Sequence, residues 1–208
     1  MSSALGRVWY AAYGSNMHAR RFGYYLHGGR PPGAARTYPG CRDPRYPESD
    51  RPLVLPGQLY FAGESTVWTG GMAFYAPGVP GEVPARAYLV TVQQFSDVAA
   101  QEMHGEPGTD LDLTEVLKHG TACIGSGGRY ETLVCPGELE GLPLLTFTAP
   151  WRIEQAPLNA PSPAYLSHLA AGLAETHGWS AERIDAYLTT RPGAAPGPRG
   201  AGGQTRVS

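Results

Sequence analysis

Residues 10–26 read YAAYGSNMHARRFGYYL. An apolar and aromatic run, Val8 to Tyr13, has the length and composition of a buried strand. It stops at Gly14-Ser15-Asn16, and Met17 to Leu26 then reads as a helix, weakened at Gly23 and ended by the glycines that follow His27. A strand that breaks on Gly-Ser-Asn before a helix bares the first N–H groups of that helix, which favour an anion, and Gly14 lets a ligand approach the backbone. An ordinary N-cap by Ser15 or Asn16 accounts for the same residues.

The rest of the chain narrows the setting. Its 208 residues suit one domain with a substantial core. The formal net charge is −2, and the 16 Lys and Arg are too scattered to make a nucleic-acid-binding stripe. No apolar run approaches a membrane span, and the N-terminus lacks a charged-then-apolar leader. Cys41, Cys123 and Cys135 are odd in number and share no metal-type spacing, so they read as reduced thiols of a cytoplasmic protein. No H-E-x-x-H or C-x-x-C occurs, so zinc is unsupported. Gly125 to Gly128 (GSGG) lacks the Lys-Ser/Thr of a phosphate loop and reads as a hinge.

Further along, residues 30–52 are rich in Pro and Arg and read as irregular loop. Strands are expected at Leu53–Phe61, Gly70–Tyr75 and Ala85–Val90. Thr91 and Gln94 form a capping-box pattern, with Val90 and Phe95 as its hydrophobic staple, so a helix should run from Val92 to Met103. A short helix is expected at Leu113–Lys118, and strands at Arg129–Cys135 and Leu142–Ala149, paired across PGELEG. Ser162 caps a helix with Pro163 at its first position and Leu166, Leu169 and Leu173 on one face, and another helix starts at Ser180. The order of elements describes an α+β domain over residues 1–190, and residues 191–208 read as a disordered Gly/Pro-rich tail.

One carboxylate stands out. Phe95, Val98, Ala99 and Glu102 share a face of the helix from Val92. A Glu on a core-facing stripe is costly unless paired or functional, and partial burial suits it to proton exchange near neutral pH. Rotation of that face to the surface, or an arginine partner, is the alternative.

Together these motifs resemble the γ-glutamylcyclotransferase family. Tyr13-Gly14-Ser15-Asn16 stands where that family has its Tyr-Gly-Ser-Asn-Leu loop, with Met17 in place of Leu. Leu59 to Phe74 (LYFAGESTVWTGGMAF) is similar to its strand–Trp–Gly-Gly–strand segment, and Gln101-Glu102 to its Gln-Glu pair. Tyr130 opens a strand as a family tyrosine does, and Pro161-Ser162 with Tyr165 resembles the C-terminal Pro-Ser-x-x-Tyr segment. Three features depart from the pattern: Met103 replaces a glycine, residues 104–129 form an insertion, and Phe147 stands where some members carry Tyr.

The resemblance implies a small closed mixed β-barrel with helices packed outside. It also implies cyclisation of the γ-glutamyl group of a small γ-glutamyl compound to 5-oxoproline, with release of an amine or amino acid. Glu102 would be catalytic, and Tyr13, Gly14, Ser15, Asn16, Met17, Tyr130 and Tyr165 would bind substrate, without a cofactor. Two alternatives remain open: removal of a γ-glutamyl protecting group from a biosynthetic amine, and a catalytically silent binding module.

Overall fold

The computed structural model describes residues 5–125 and 128–195 of the chain. A six-stranded mixed sheet forms its centre. In chain order its strands are β1 (Arg7–Ala12), β2 (Ser49–Pro56), β5 (Glu82–Thr91), β6 (Thr121–Cys123), β7 (Thr132–Leu139) and β8 (Leu142–Thr148), laid side by side as β2-β5-β1-β8-β7-β6. β1 pairs antiparallel with β5, placing Tyr10 opposite Tyr88, and parallel with β8. A hairpin of β3 (Gln58–Ala62) and β4 (Met72–Ala76) forms a second, two-stranded sheet. Thr148 joins the two sheets: its hydroxyl accepts from Tyr75 N–H at 3.0 Å and donates to the Tyr75 carbonyl at 2.7 Å. These side-chain bonds tie β4 to β8, an interior strand of the larger sheet.

β1 is buried on both faces, which explains its unbroken apolar run. On one side Val8, Tyr10 and Ala12 meet Phe22, Phe95 and Phe147. There α1 (Ala19–His27), α2 (Val92–Glu102) and α3 (Thr114–His119) cover the sheet. On the other, Trp9 and Ala11 join Leu169 and Leu173 of α4 (Pro163–His177) and Leu188 of α5 (Ala181–Thr189). The caps read from sequence form: Thr91 and Gln94 exchange both capping-box bonds, and Ser162 and Ser180 accept at the starts of α4 and α5.

Several boundaries differ from the sequence reading. A 3-10 turn (Ser15–Met17) and an extended His18 precede α1, so the helix begins at Ala19 and not Met17. The strand expected at 53–61 is two strands, because Gly57 turns the chain at φ +138°. β2 begins at Ser49, inside the stretch expected to be loop; its Pro52 is tolerated because β2 is a sheet edge. The short strand β6 pairs with β7 and had no periodicity to announce it. β7 continues through Pro136 and Gly137 with a register shift, which shortens the turn before β8 to Glu140-Gly141. The start of the expected tail is docked: Phe61 N–H donates to the Pro192 carbonyl at 2.8 Å. Residues 196–208, and Ser126 and Gly127 of the expected hinge, lie outside the described residues.

The Pro/Arg-rich loop is fastened along α2. Gln94 donates to the carbonyls of Asp43 and Arg45, at 3.2 and 2.8 Å. Asp97 accepts from Arg42 N–H at 2.8 Å and from Arg42 Nε at 2.9 Å, and Gln101 Oε1 accepts from Gly40 N–H at 3.3 Å. These three polar residues lie on a second buried face of α2, beside the apolar one. Removing one partner of a buried ion pair costs about 3 kcal/mol. Asp97→Ala should therefore lower the urea midpoint by an amount equivalent to about 3 kcal/mol, with an unchanged slope; a loss below about 1 kcal/mol would show that Asp97 does not fasten the loop.

Candidate active site

The C-terminal end of β1 opens into a cavity of about 60 Å³. Tyr13, Gly14, Ser15 and Asn16 line it from the turn after β1, Glu102 from the last residue of α2, and Tyr130 and Tyr165 from beside β4. Met17 is not on the wall. It is 1% exposed and lies under α4, where a Cβ on Gly172 would stand 2.9 Å from the Met17 Cβ, so its side chain is part of the core.

The turn is not capped by a side chain: neither Ser15 nor Asn16 caps it, and its N-cap residue is Gly14. Its first internal bond runs from Met17 N–H to the Gly14 carbonyl at 3.0 Å, so the N–H groups of Ser15 and Asn16 precede it. Asn16 turns inward instead. Its Nδ2 donates to Glu102 Oε1 at 2.8 Å and to Tyr10 Oη at 3.3 Å. Asn16 itself is 3% exposed and its Oδ1 has no partner.

Glu102 is half-buried, and no arginine lies within ion-pair distance of it among the described residues. Burial raises its carboxyl above the usual carboxylate range, opposed first by the Arg21 guanidinium and then by hydrogen bonds from Tyr25 and Asn16. Met103, which stands where the resembled pattern has glycine, has φ −82° and needs no glycine. The left-handed residue is His104 at φ 64°, and Gly105 N–H closes the helix end on the Ala100 carbonyl at 2.8 Å.

The two tyrosines spend their hydroxyls on β4. Tyr130 Oη donates to the Ala73 carbonyl at 2.9 Å, while Tyr165 Oη accepts from Ala73 N–H at 3.1 Å. Burial pushes the Tyr165 hydroxyl up to about 12. Tyr13 Oη similarly donates to the Phe147 carbonyl at 2.8 Å. All three shape the cavity and fix strands around it.

Sequence reading missed the arginines. Arg21 is 2% exposed and lines the cavity. Its Nη2 donates to Tyr38 Oη at 2.6 Å, and its guanidinium lies over the Tyr25 and Tyr38 rings at 4.8 and 4.7 Å. Its Nε and Nη1 have no partner. The one available signal was Tyr25, one helical turn after Arg21. Arg36 and Arg129 reach the same cavity from loops that carry no periodic signal. Among the described residues, no group of three or more His, Cys, Asp or Glu side chains is placed to hold a metal ion.

No family model matches the sequence. Histone deacetylase 5 of Arabidopsis thaliana is 30% identical over 198 residues, a match that takes in 87% of this chain and 30% of that protein. The chain thus spans less than a third of the curated relative it matches, and what the longer protein is named for does not carry over to it. A solved gamma-glutamyl cyclotransferase aligns with 97% of this chain and 94% of its own at TM-score 0.51 and 19% identity. The human uncharacterized protein loc79017 aligns with 93% of each chain at TM-score 0.50 and 19% identity. Those superpositions take in nearly the whole of each chain, and the chain has the gamma-glutamyl cyclotransferase-like fold.

Proposed function

We propose that this chain is an enzyme that cyclises the γ-glutamyl group of a small γ-glutamyl compound to 5-oxoproline and releases the attached amine or amino acid. The observation that carries this reading is the Glu102 carboxylate, half-buried in a cavity and held by Asn16 at 2.8 Å. A carboxyl raised by its surroundings and steered by an amide can take a proton from an ammonium and return it to a leaving nitrogen.

The reaction places little demand on the protein beyond folding the substrate, because nucleophile and electrophile share one molecule. Glu102 takes a proton from the substrate's α-ammonium. The resulting amine attacks the γ-carbonyl carbon, the new C–N bond closes the five-membered ring, and the carbonyl oxygen becomes an oxyanion facing the N–H groups of the Gly14–Asn16 turn. Glu102 passes its proton to the departing nitrogen, the old amide bond breaks, and 5-oxoproline forms. A second transfer through Glu102 moves the ring nitrogen's extra proton to the released amine. No external oxidant, reductant or metal enters this balance.

Glu102→Gln should fold as the wild type does and lose at least about 1000-fold in 5-oxoproline release from a γ-glutamyl panel; a variant that keeps its rate removes Glu102 from the mechanism. The base must be ionised to act, so kcat/KM should fall with acid, with a midpoint above the ordinary Glu value of about 4.3. A midpoint at or below that value would contradict the environment described for this carboxyl.

The same shift predicts stability. Between the ordinary carboxyl pKa and the raised one, the folded state binds more protons than the unfolded state, so Glu102 makes the fold less stable as pH rises through that window. Glu102→Gln should melt at or above the wild-type temperature at neutral pH, with the difference closing in acid; a lower melting temperature at neutral pH would refute this sign.

A further inference from the structure

The cavity after β1 is too small for an organic ligand. Its volume of about 60 Å³ holds a few water molecules, while pockets that take small organic ligands run to roughly 300–1,000 Å³. One of its walls must therefore move before a ligand can enter. Ser65, Thr66, Val67 and Trp68 form one wall, from the turn that joins β3 to β4. That wall is thin: Ser65 and Trp68 are buried, while Thr66 and Thr69 of the same turn are exposed to solvent.

The tip of the turn is bonded to itself. Ser65 N–H donates to the Gly70 carbonyl at 2.7 Å and Thr69 N–H to the Ser65 carbonyl at 3.1 Å. Ser65 Oγ accepts from the N–H groups of Val67 and Trp68, at 3.2 and 3.0 Å. In a turn at the surface, water takes over such bonds when the backbone rearranges. The base, by contrast, is fixed. The Glu64 carboxylate accepts from Gly70 N–H and Asn159 Nδ2, both at 2.8 Å, and the Glu64 carbonyl accepts from Arg129. What holds the tip inward is the Trp68 indole, which is 9% exposed and lies 4.8 Å from the His168 ring and 5.8 Å from the Arg21 guanidinium.

Thr69 carries the strain of this arrangement. Its φ is 62°, a left-handed value that is a genuine outlier for a β-branched residue. Such strain persists only where the surroundings impose it. Here the preceding residue, Trp68, is packed into the cavity wall, and Thr69 Oγ1 donates to the Trp68 carbonyl at 2.6 Å. Packing of the indole favours the closed turn and the backbone of Thr69 opposes it, which is the balance a two-state element needs. We propose that this turn is a gate: Trp68 closes the cavity in this structure, and relaxation of Thr69 out of the left-handed region swings the indole outward to admit a small organic ligand. The gate governs entry to the cavity, whichever reaction follows.

The test labels the 4 tryptophans of the 208-residue chain as 5-fluorotryptophan and follows their fluorine NMR signals, with Trp68→Phe assigning the Trp68 signal. That signal alone should show exchange on the microsecond-to-millisecond timescale, with an open fraction of about 1–10%. Thr69→Gly removes the strain of the closed turn, because glycine adopts a positive φ freely, and should cut the open fraction about 10-fold. Thr69→Val keeps the β-branch and loses only the hydroxyl, so its open fraction should stay at or above that of the wild type. A Trp68 signal without exchange, or an open fraction that Thr69→Gly leaves unchanged or raises, overturns the gate. So does a fall in Thr69→Val as large as that in Thr69→Gly.

Entry itself is read by stopped-flow binding of 5-oxoproline, the product of the reaction proposed above. A gate that opens before binding and closes after it slows arrival and departure together. Thr69→Gly should therefore lower both rate constants about 10-fold and leave Kd within about twofold, while Trp68→Ala, with no indole to close, should raise both. Rate constants unchanged in both variants mean that ligand enters past another wall, and overturn the gate. Turnover of a γ-glutamyl panel without exchange at Trp68 sinks the gate alone. Exchange that responds to Thr69→Gly, in a protein that neither turns over the panel nor binds 5-oxoproline, keeps the gate and sinks the cyclisation reading.

Discussion

Asp97 is a carboxylate with no solvent access, and its bonds to Arg42 pin a long, irregular loop to α2. Such a charge is tolerable only when its partner is in place, so helix and loop are obliged to form together. Gln94 and Gln101 add bonds one turn to either side. The loop they fasten carries Tyr38, which accepts from Arg21, and Arg36, which lines the cavity. Without this second face of α2, the cavity would lack the wall that holds two of its three arginines in place.

α2 also sets the position of Glu102. Its apolar face, Phe95, Val98 and Ala99, packs against the aromatic side chains of β1 and β8, where Tyr10 lies 5.9 Å from Phe95 and 5.3 Å from Phe147. Glu102 follows at the end of the helix, close enough to the turn after β1 for Asn16 to bond it. Gly14, Ser15 and Asn16 turn the chain, and they also face a cavity: Asn16 caps no helix and bonds a carboxylate from another element.

Legibility followed distance along the chain. The capping box at Thr91 and Gln94, the caps at Ser162 and Ser180 and the apolar run of β1 were readable because their partners lie within a few residues. The split of residues 53–61 at Gly57 was not readable, because the strand composition continues through the turn. β6 is three residues long, too short for a period, and exists through its pairing with β7. Among the proposed site residues, the turn at 13–16, Glu102 and the two tyrosines were visible as motifs, while Met17 proved to be core packing under α4.

The sequence by itself determined the main strands and helices, the end of α2 that carries Glu102, and the turn that faces it. Caps, periodicity and glycine positions act locally, so the residues that carry them are legible in order. Only the tertiary structure decided the charge of the cavity. Arg21, Arg36 and Arg129 come from a helix and two loops, and their approach depends on packing between residues many tens of positions apart, as in the pairing of Arg42 with Asp97 across 55 positions. A loop has no repeat from which the direction of a side chain can be read, so its contribution to the site appears only once the helix beside it has fixed where it lies.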